Sequence, residues 1–172
     1  MEKTANPMSS AASAPRKRRH PELSARQRAL GLLTRREHSR KELARKLAGS
    51  GVEPTEAAEA IDVLGREGWQ DDARFATNLA HWRAASGYGP LRIRAELRTH
   101  AVDPPLVDAA FAALAQSGEA DWEANAKSLL ASRYGHALRD PAIQRKAAGY
   151  LARRGFDAAT VRAACGMDMD EG

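Results

Sequence analysis

The 172 residues are 43% hydrophobic and 28% charged, with 27 Lys and Arg against 22 Asp and Glu and a formal net charge of +5. That composition suits one or two ordinary folded domains. A single cysteine, Cys165, excludes an internal disulfide framework and any multi-cysteine zinc site, and no apolar run approaches the roughly 20 residues needed to cross a bilayer.

The N-terminus lacks the continuous apolar core of a secretory signal, so a soluble cytoplasmic protein in a reducing compartment is expected. Aromatics make up only 5%, alanine is abundant and β-branched runs are missing, which favours helices over sheets. Charge is unevenly spread. Residues 1–50 hold 13 Lys and Arg against 4 Glu, a balance of +9, whereas residues 51–172 hold 14 against 18 acids, a balance of −4. A basic end of this kind attracts nucleic acid or an acidic protein surface.

Residues 1–23 mix Ser, Ala and Pro with the basic cluster Arg16, Lys17, Arg18 and Arg19, and show no apolar periodicity. A disordered tail is expected there. Helical pattern begins near Ser24, with Leu30 and Leu33 as its main apolar positions. Ser39 and Glu42 then form an S-x-x-E capping box, in which side chain and backbone at a helix entrance satisfy each other. Leu43 and Leu47 follow at helical spacing, Gly49 to Gly51 end the element, and a third helix from Glu53 to Glu56 onward turns Ala57, Ile61 and Leu64 inward. This is the first module, residues 24–66.

The stretch from Gly65 to Leu97 carries the next helix complete. Asp71 and Asp72 mark its start, since their carboxylates accept from free N–H groups of the first turn and favour the positive end of the dipole. Phe75, Leu79 and Trp82 follow four and three residues apart, and the spacing predicts that all three face a core. Gly87, Tyr88, Gly89 and Pro90 stop this helix and start another, which bears Arg92, Arg94 and Arg98. The second module spans 67–117. A third, 118–166, has a first helix from about Asp121 to Tyr134 and a second from about Pro141 to Arg154; residues 167–172 form a short acidic tail.

Laid over itself, the chain repeats. A shift of 50 pairs Leu43 with Ile93, Leu47 with Leu97, Pro54 with Pro104 and Leu64 with Leu114; a shift of 54 pairs Leu97 with Leu151 and Val107 with Val161. Gly51-Val52-Glu53 and Gly155-Phe156-Asp157 both read as a left-handed cap, an apolar residue folding back, and an acid opening the next helix. The second copy has Ala101 in place of the glycine, at a cost on the order of 1 kcal/mol if positive φ is kept. Units this small need their neighbours for stability, and the expected fold is all-α: three tandem three-helix modules stacked into an elongated curved array.

No catalytic constellation, cofactor loop or metal-ligand spacing emerges. The five histidines form no H-x-x-x-H pair, no G-x-x-x-x-G-K-[ST] run exists, and Cys165 aligns with the core positions Ile61 and Phe111. The residues that stand out are basic: Arg35, Arg36, Arg40, Lys41, Arg45 and Lys46 at the end of one helix and along the next, joined by Arg92, Arg94 and Arg98. Partner contact and a solvated helix face are both open readings for them. Asp71, Asp72 and Arg74 read as structural, Arg74 pairing with one of the acids or with a neighbouring module. Phe75 reads as core. Tyr88, held between glycines, either anchors modules or contacts a partner.

Three segments together resemble the bacterial RecX family, regulators of the RecA recombinase. They are Arg35-Arg36-Glu37-His38-Ser39-Arg40-Lys41-Glu42-Leu43, Gly68-Trp69-Gln70-Asp71-Asp72-Ala73-Arg74-Phe75-Ala76, and Gly87-Tyr88-Gly89-Pro90 with Ile93 and Glu96-Leu97. Arg153-Arg154-Gly155-Phe156 looks like the family's closing signature. The likeness covers about residues 25 to 165, with Trp69, Ala101 and the basic tail as departures. It implies no catalytic activity and no cofactor, and as partners the RecA monomer and its filament on single-stranded DNA, with weak direct contact to single- or double-stranded DNA and action as a monomer. The rival reading is a DNA-binding module that acts without RecA.

Overall fold

The computed structural model describes residues 23–166. The tails expected at 1–23 and 167–172 lie outside these residues, apart from Leu23. Among the described residues every regular element is helical: α1 (Ala25–Leu33), α2 (Arg40–Gly49), α3 (Pro54–Arg66), α4 (Asp72–Ala85), α5 (Pro90–Thr99), α6 (Pro104–Gln116), α7 (Trp122–Tyr134), α8 (Pro141–Arg154) and α9 (Ala158–Cys165). A 3-10 turn, Gly135–Arg139, for which the sequence carried no signal, joins α7 to α8.

Helix starts follow local chemistry. Side chains of Ser24, Ser39, Asp71, Asp121, Asp140 and Asp157 accept from first-turn N–H groups, and α3, α5, α6 and α8 open on proline. The complete capping box is at Ser24, where Gln27 Oε1 accepts from Ser24 N–H at 2.9 Å and Ser24 Oγ accepts from Gln27 N–H at 3.2 Å. The box expected at Ser39 is only half formed. Ser39 Oγ accepts from Glu42 N–H at 3.1 Å, but the Glu42 carboxylate turns away to the guanidinium of Arg36. A charged donor outbids a backbone amide for a carboxylate.

Each set of three helices has its own core. Leu43, Leu47, Ile61 and Leu64 close the first, Phe75, Ile93, Leu97 and Leu114 the second, and Leu130, Leu151, Phe156 and Cys165 the third. Burying each large aliphatic side chain contributes about 1.5–3 kcal/mol. In every module the first and third helices pack against each other: α1 on α3, α4 on α6, α7 on α9.

The expectation that Phe75, Leu79 and Trp82 share one buried face is corrected. Phe75 is buried and Leu79 half-buried, but Trp82 is 59% exposed. The buried stripe of α4 runs instead through Ala76, Ala80 and Ala84, whose small side chains let α6 approach closely. Trp82 is thereby rotated off the core. Ala101 has φ +56°, the one positive φ outside glycine among the described residues. The repeat therefore keeps its left-handed cap even where the sequence has a Cβ to strain it.

Candidate functional site

The basic ridge lies on the first module and the cleft it forms with the second. On α2, Leu43 and Leu47 point into the core, so Lys41 and Arg45 are turned outward and exposed. Arg36, just before α2, donates to both Glu42 oxygens, at 3.1 and 2.5 Å. Glu42 is 6% exposed, with His38 and Lys46 also within 4 Å. Burial pulls its carboxyl upward, but the Arg36 hydrogen bond and the charges of His38, Arg36 and Lys46 outweigh that and hold it below the usual carboxylate range. Burial pushes the neighbouring His38 imidazole down, only partly opposed by the Arg36 carbonyl and Glu42. Arg40 pairs with Asp62 on α3. Of the six basic residues in this cluster, Arg36, Arg40 and Lys46 are thus engaged within the module. Arg35, Lys41 and Arg45 have no carboxylate within ion-pair distance among the described residues.

The second module's three arginines divide similarly. Arg94 pairs with Asp108 at 2.9 Å and stacks over Phe111 at 4.1 Å. Arg98 is exposed and donates to Arg94 O. Arg92 is exposed and its backbone lies against Gly155 of the third module. Of the nine basic candidates, Arg36, Arg40, Lys46 and Arg94 are thus paired with carboxylates of their own module.

The joint between the first two modules is polar. Asp72 Oδ1 accepts from the backbone N–H of Arg40 at 3.0 Å and from Gln70 Nε2 at 2.8 Å. Part of the cap on α2 is supplied from the neighbouring module, while Asp71 alone caps α4, accepting from Ala73 and Arg74 N–H at 2.7 and 3.2 Å. Arg74 pairs with Glu37 and donates to the carbonyl of Trp69 at 2.9 Å. Of the partners open to it in sequence, the structure selects the neighbouring module. Ser39 Oγ lies 3.0 Å from His100 Nδ1. The buried Gln70 and the half-buried His100 were not candidates in the sequence, because nothing periodic distinguishes a joint residue from a loop residue.

Beside this joint opens a cleft of about 900 Å³. Leu33, Phe75, Leu79 and the exposed Trp82 give it an apolar lining, to which Arg35 and Arg45 add charge. Its acids Glu37, Glu42 and Glu96 are matched by Arg74, Arg36 and Arg83. The unmatched charge is positive.

The joint between the second and third modules is a backbone contact. Gly89 N–H donates to Arg154 O at 2.9 Å and Leu91 N–H to Gly155 O at 3.0 Å. Gly155 is left-handed, φ +90°, and a Cβ there would lie 2.3 Å from Cβ of Arg92; a Cβ on Gly89 would lie 2.4 Å from Gly155 O. Only glycine fits either place. Phe156 is buried in the third core, and Trp122 packs against both the second and third cores. Tyr88 is half-buried, with Arg83, Arg92 and Arg154 at 5.3, 5.9 and 4.8 Å from its ring centre. Its ring thus meets arginines of both modules.

Among the described residues no group of three or more His, Cys, Asp or Glu could hold a metal, and no helix is long and apolar enough to cross a membrane. The thiol of Cys165 is buried and pushed up by that burial, which keeps it protonated and inert.

One core per three helices, joined by short contacts, defines a helical-repeat protein. The models of the first, second and third RecX three-helix domains match residues 25–64, 71–110 and 119–165 in turn. The chain belongs to the RecX family. It is 52% identical over 157 residues to regulatory protein RecX of Xanthomonas oryzae pv. oryzae (strain PXO99A), covering 91% of this chain and 94% of that one. Identity and coverage are the same for regulatory protein RecX of Stenotrophomonas maltophilia (strain K279a). The crystal structure of RecX from Lactobacillus salivarius superposes with a TM-score of 0.66 at 21% identity, covering 83% of this chain and 92% of that one. At that identity the likeness speaks for the fold.

Proposed function

We propose that the protein binds the RecA recombinase, as monomer and as filament on single-stranded DNA, and lowers filament growth, ATP hydrolysis, strand exchange and coprotease activity. It acts as a regulator without chemistry of its own. Membership of the RecX family supports the partner. The observation that carries the contact surface is the cleft between the first two modules, where the acids are matched within the chain and Arg35 and Arg45 are not. Such a surface suits an acidic segment with an apolar anchor for the Trp82 wall. Binding across neighbouring protomers favours whichever filament state fits it better, and differential affinity is all that regulation requires.

The test is inhibition of single-stranded-DNA-dependent RecA ATPase by an Arg35→Glu, Lys41→Glu, Arg45→Glu variant. None of the three is engaged in an ion pair among the described residues, so helicity is retained and inhibition weakens by about tenfold or more, as expected when rim charges are reversed. Full inhibition by the folded variant rejects this face as the contact.

A further inference from the structure

The two joints between modules are built differently. Across the second, Gly89 and Leu91 N–H donate to the carbonyls of Arg154 and Gly155, and apolar groups cross as well. Trp122 packs against both cores, and Leu129 Cδ2 lies only 2.7 Å from where a Cβ on Gly87 would stand. At the first joint the linker is tied to α3, with Trp69 and Gln70 N–H donating to Leu64 O. Beyond that tie, every hydrogen bond to the second module among the described residues runs through a side chain. Asp72 accepts from Arg40 N–H, Ser39 meets His100, and Arg74 pairs with Glu37 and reaches the linker carbonyls of Gly68 and Trp69.

No residue of the first module packs against the second core, nor any of the second module against the first. Side-chain hydrogen bonds and exposed ion pairs exchange for water at little net cost, whereas parting apolar groups costs in proportion to their area. Modules held by polar contacts alone move against each other unless something latches them. The latch here is incomplete. Glu37 Oε1 takes Arg74, but Glu37 Oε2 is buried without a hydrogen-bond partner among the described residues. An unpaired buried carboxylate oxygen is a cost of the closed joint that hydration removes on opening.

We propose that the first joint is a hinge, on which the first module swings as one body against the unit formed by the second and third. Arg74 and Glu37 latch it, and the unmet Glu37 Oε2 keeps the latch weak. The chain crosses the hinge once, at Gln70-Asp71-Asp72. Leu33, Arg35 and Arg45 line the cleft from one side of this joint and Phe75, Leu79 and Trp82 from the other, so each swing changes its width. A segment that enters the open cleft is gripped when the hinge closes. The hinge stands whether or not the cleft is the recombinase contact.

The test is double electron–electron resonance on the full-length protein. Nitroxide labels on Glu59→Cys and Ala109→Cys span the first joint, and labels on Ala109→Cys and Ala159→Cys span the second. All three positions are exposed, and the native Cys165 is buried. Two distance populations are expected across the first joint and one narrow population across the second. Arg74→Met leaves the Glu37 carboxylate without its counter-charge in the closed joint and should raise the ratio of open to closed about tenfold. Glu37→Leu combined with Arg74→Met removes the unpaired charge as well and should return the ratio to the parent's or below. Circular dichroism checks that each variant keeps its helices, and the comparison of the two joints in the parent needs no further variant. A single narrow population across the first joint, or a second joint as broad as the first, overturns the hinge. An unchanged ratio in folded Arg74→Met, or a double variant as open as the single one, overturns the latch.

Discussion

Replacing Gly89 by alanine is the sharpest probe of how the modules are held together. The backbone at this position, φ −83° and ψ 168°, suits alanine as well as glycine, so the substitution introduces no dihedral strain. Its whole effect comes from the added carbon, which would lie 2.4 Å from Gly155 O and 2.5 Å from both Gly155 C and Phe156 N. These are backbone atoms, and no flexible side chain can yield. The joint must open by about 1 Å to restore ordinary carbon contacts near 3.5 Å. Opening carries the 2.9 Å bond from Gly89 N–H and the 3.0 Å bond from Leu91 N–H beyond useful range. At a net 0.5–1.5 kcal/mol each, their loss amounts to about 1–3 kcal/mol, offset by up to about 1 kcal/mol from the stiffer unfolded chain. Because each module has its own core, the damage falls on coupling more than on the cores. Urea unfolding followed by circular dichroism should show a lower midpoint, and by tryptophan fluorescence an earlier change reporting Trp122 at the boundary. Coincident curves at the parent's midpoint would refute the claim that this joint is rigid.

Ala101→Gly relieves a left-handed alanine, φ +56°, and should raise stability by up to about 1 kcal/mol, read as a higher urea midpoint with unchanged slope. Asp72→Ala removes the acceptor of both Arg40 N–H and Gln70 Nε2 and should cost about 1–2 kcal/mol, while Asp71 still caps α4. Stability should also fall with acid in two stages. His38 titrates below its ordinary 6.5 because burial disfavours the imidazolium, so the unfolded chain takes up the proton first and stability drops as pH falls from about 6.5 to the lower folded value. Glu42, held below its ordinary 4.5, contributes stability that is present above that value and lost as pH falls through its depressed folded one. Urea midpoints measured from pH 8 to pH 3 check this, and His38→Asn should abolish the upper stage while the lower one persists, weakened because His38 no longer helps hold Glu42 down.

The amino-acid sequence by itself determined the repeat, the caps and the core positions. Proline openings, the Asp71 cap, the glycine after α8, and the spacing of Leu43 with Leu47 and Ile93 with Leu97 all act within one or two helical turns, where periodicity and hydrogen-bond chemistry are local. It also marked Ala101 as strained if the left-handed cap is kept there, and the structure keeps it. The spacing of Phe75, Leu79 and Trp82 misled, because periodicity ranks residues by size, and the close approach of α6 favoured the alanines instead. What only the tertiary structure decided is which charges are left over. Arg40 meets Asp62 22 residues away, Glu37 meets Arg74 37 away, and Ser39 faces His100 across 61. Arg154 reaches Tyr88 and Tyr150 together only because two glycine backbones touch. Such pairings depend on how one rigid bundle is set against the next. That orientation arises from joint contacts far apart in sequence, and they leave no period along the chain to read.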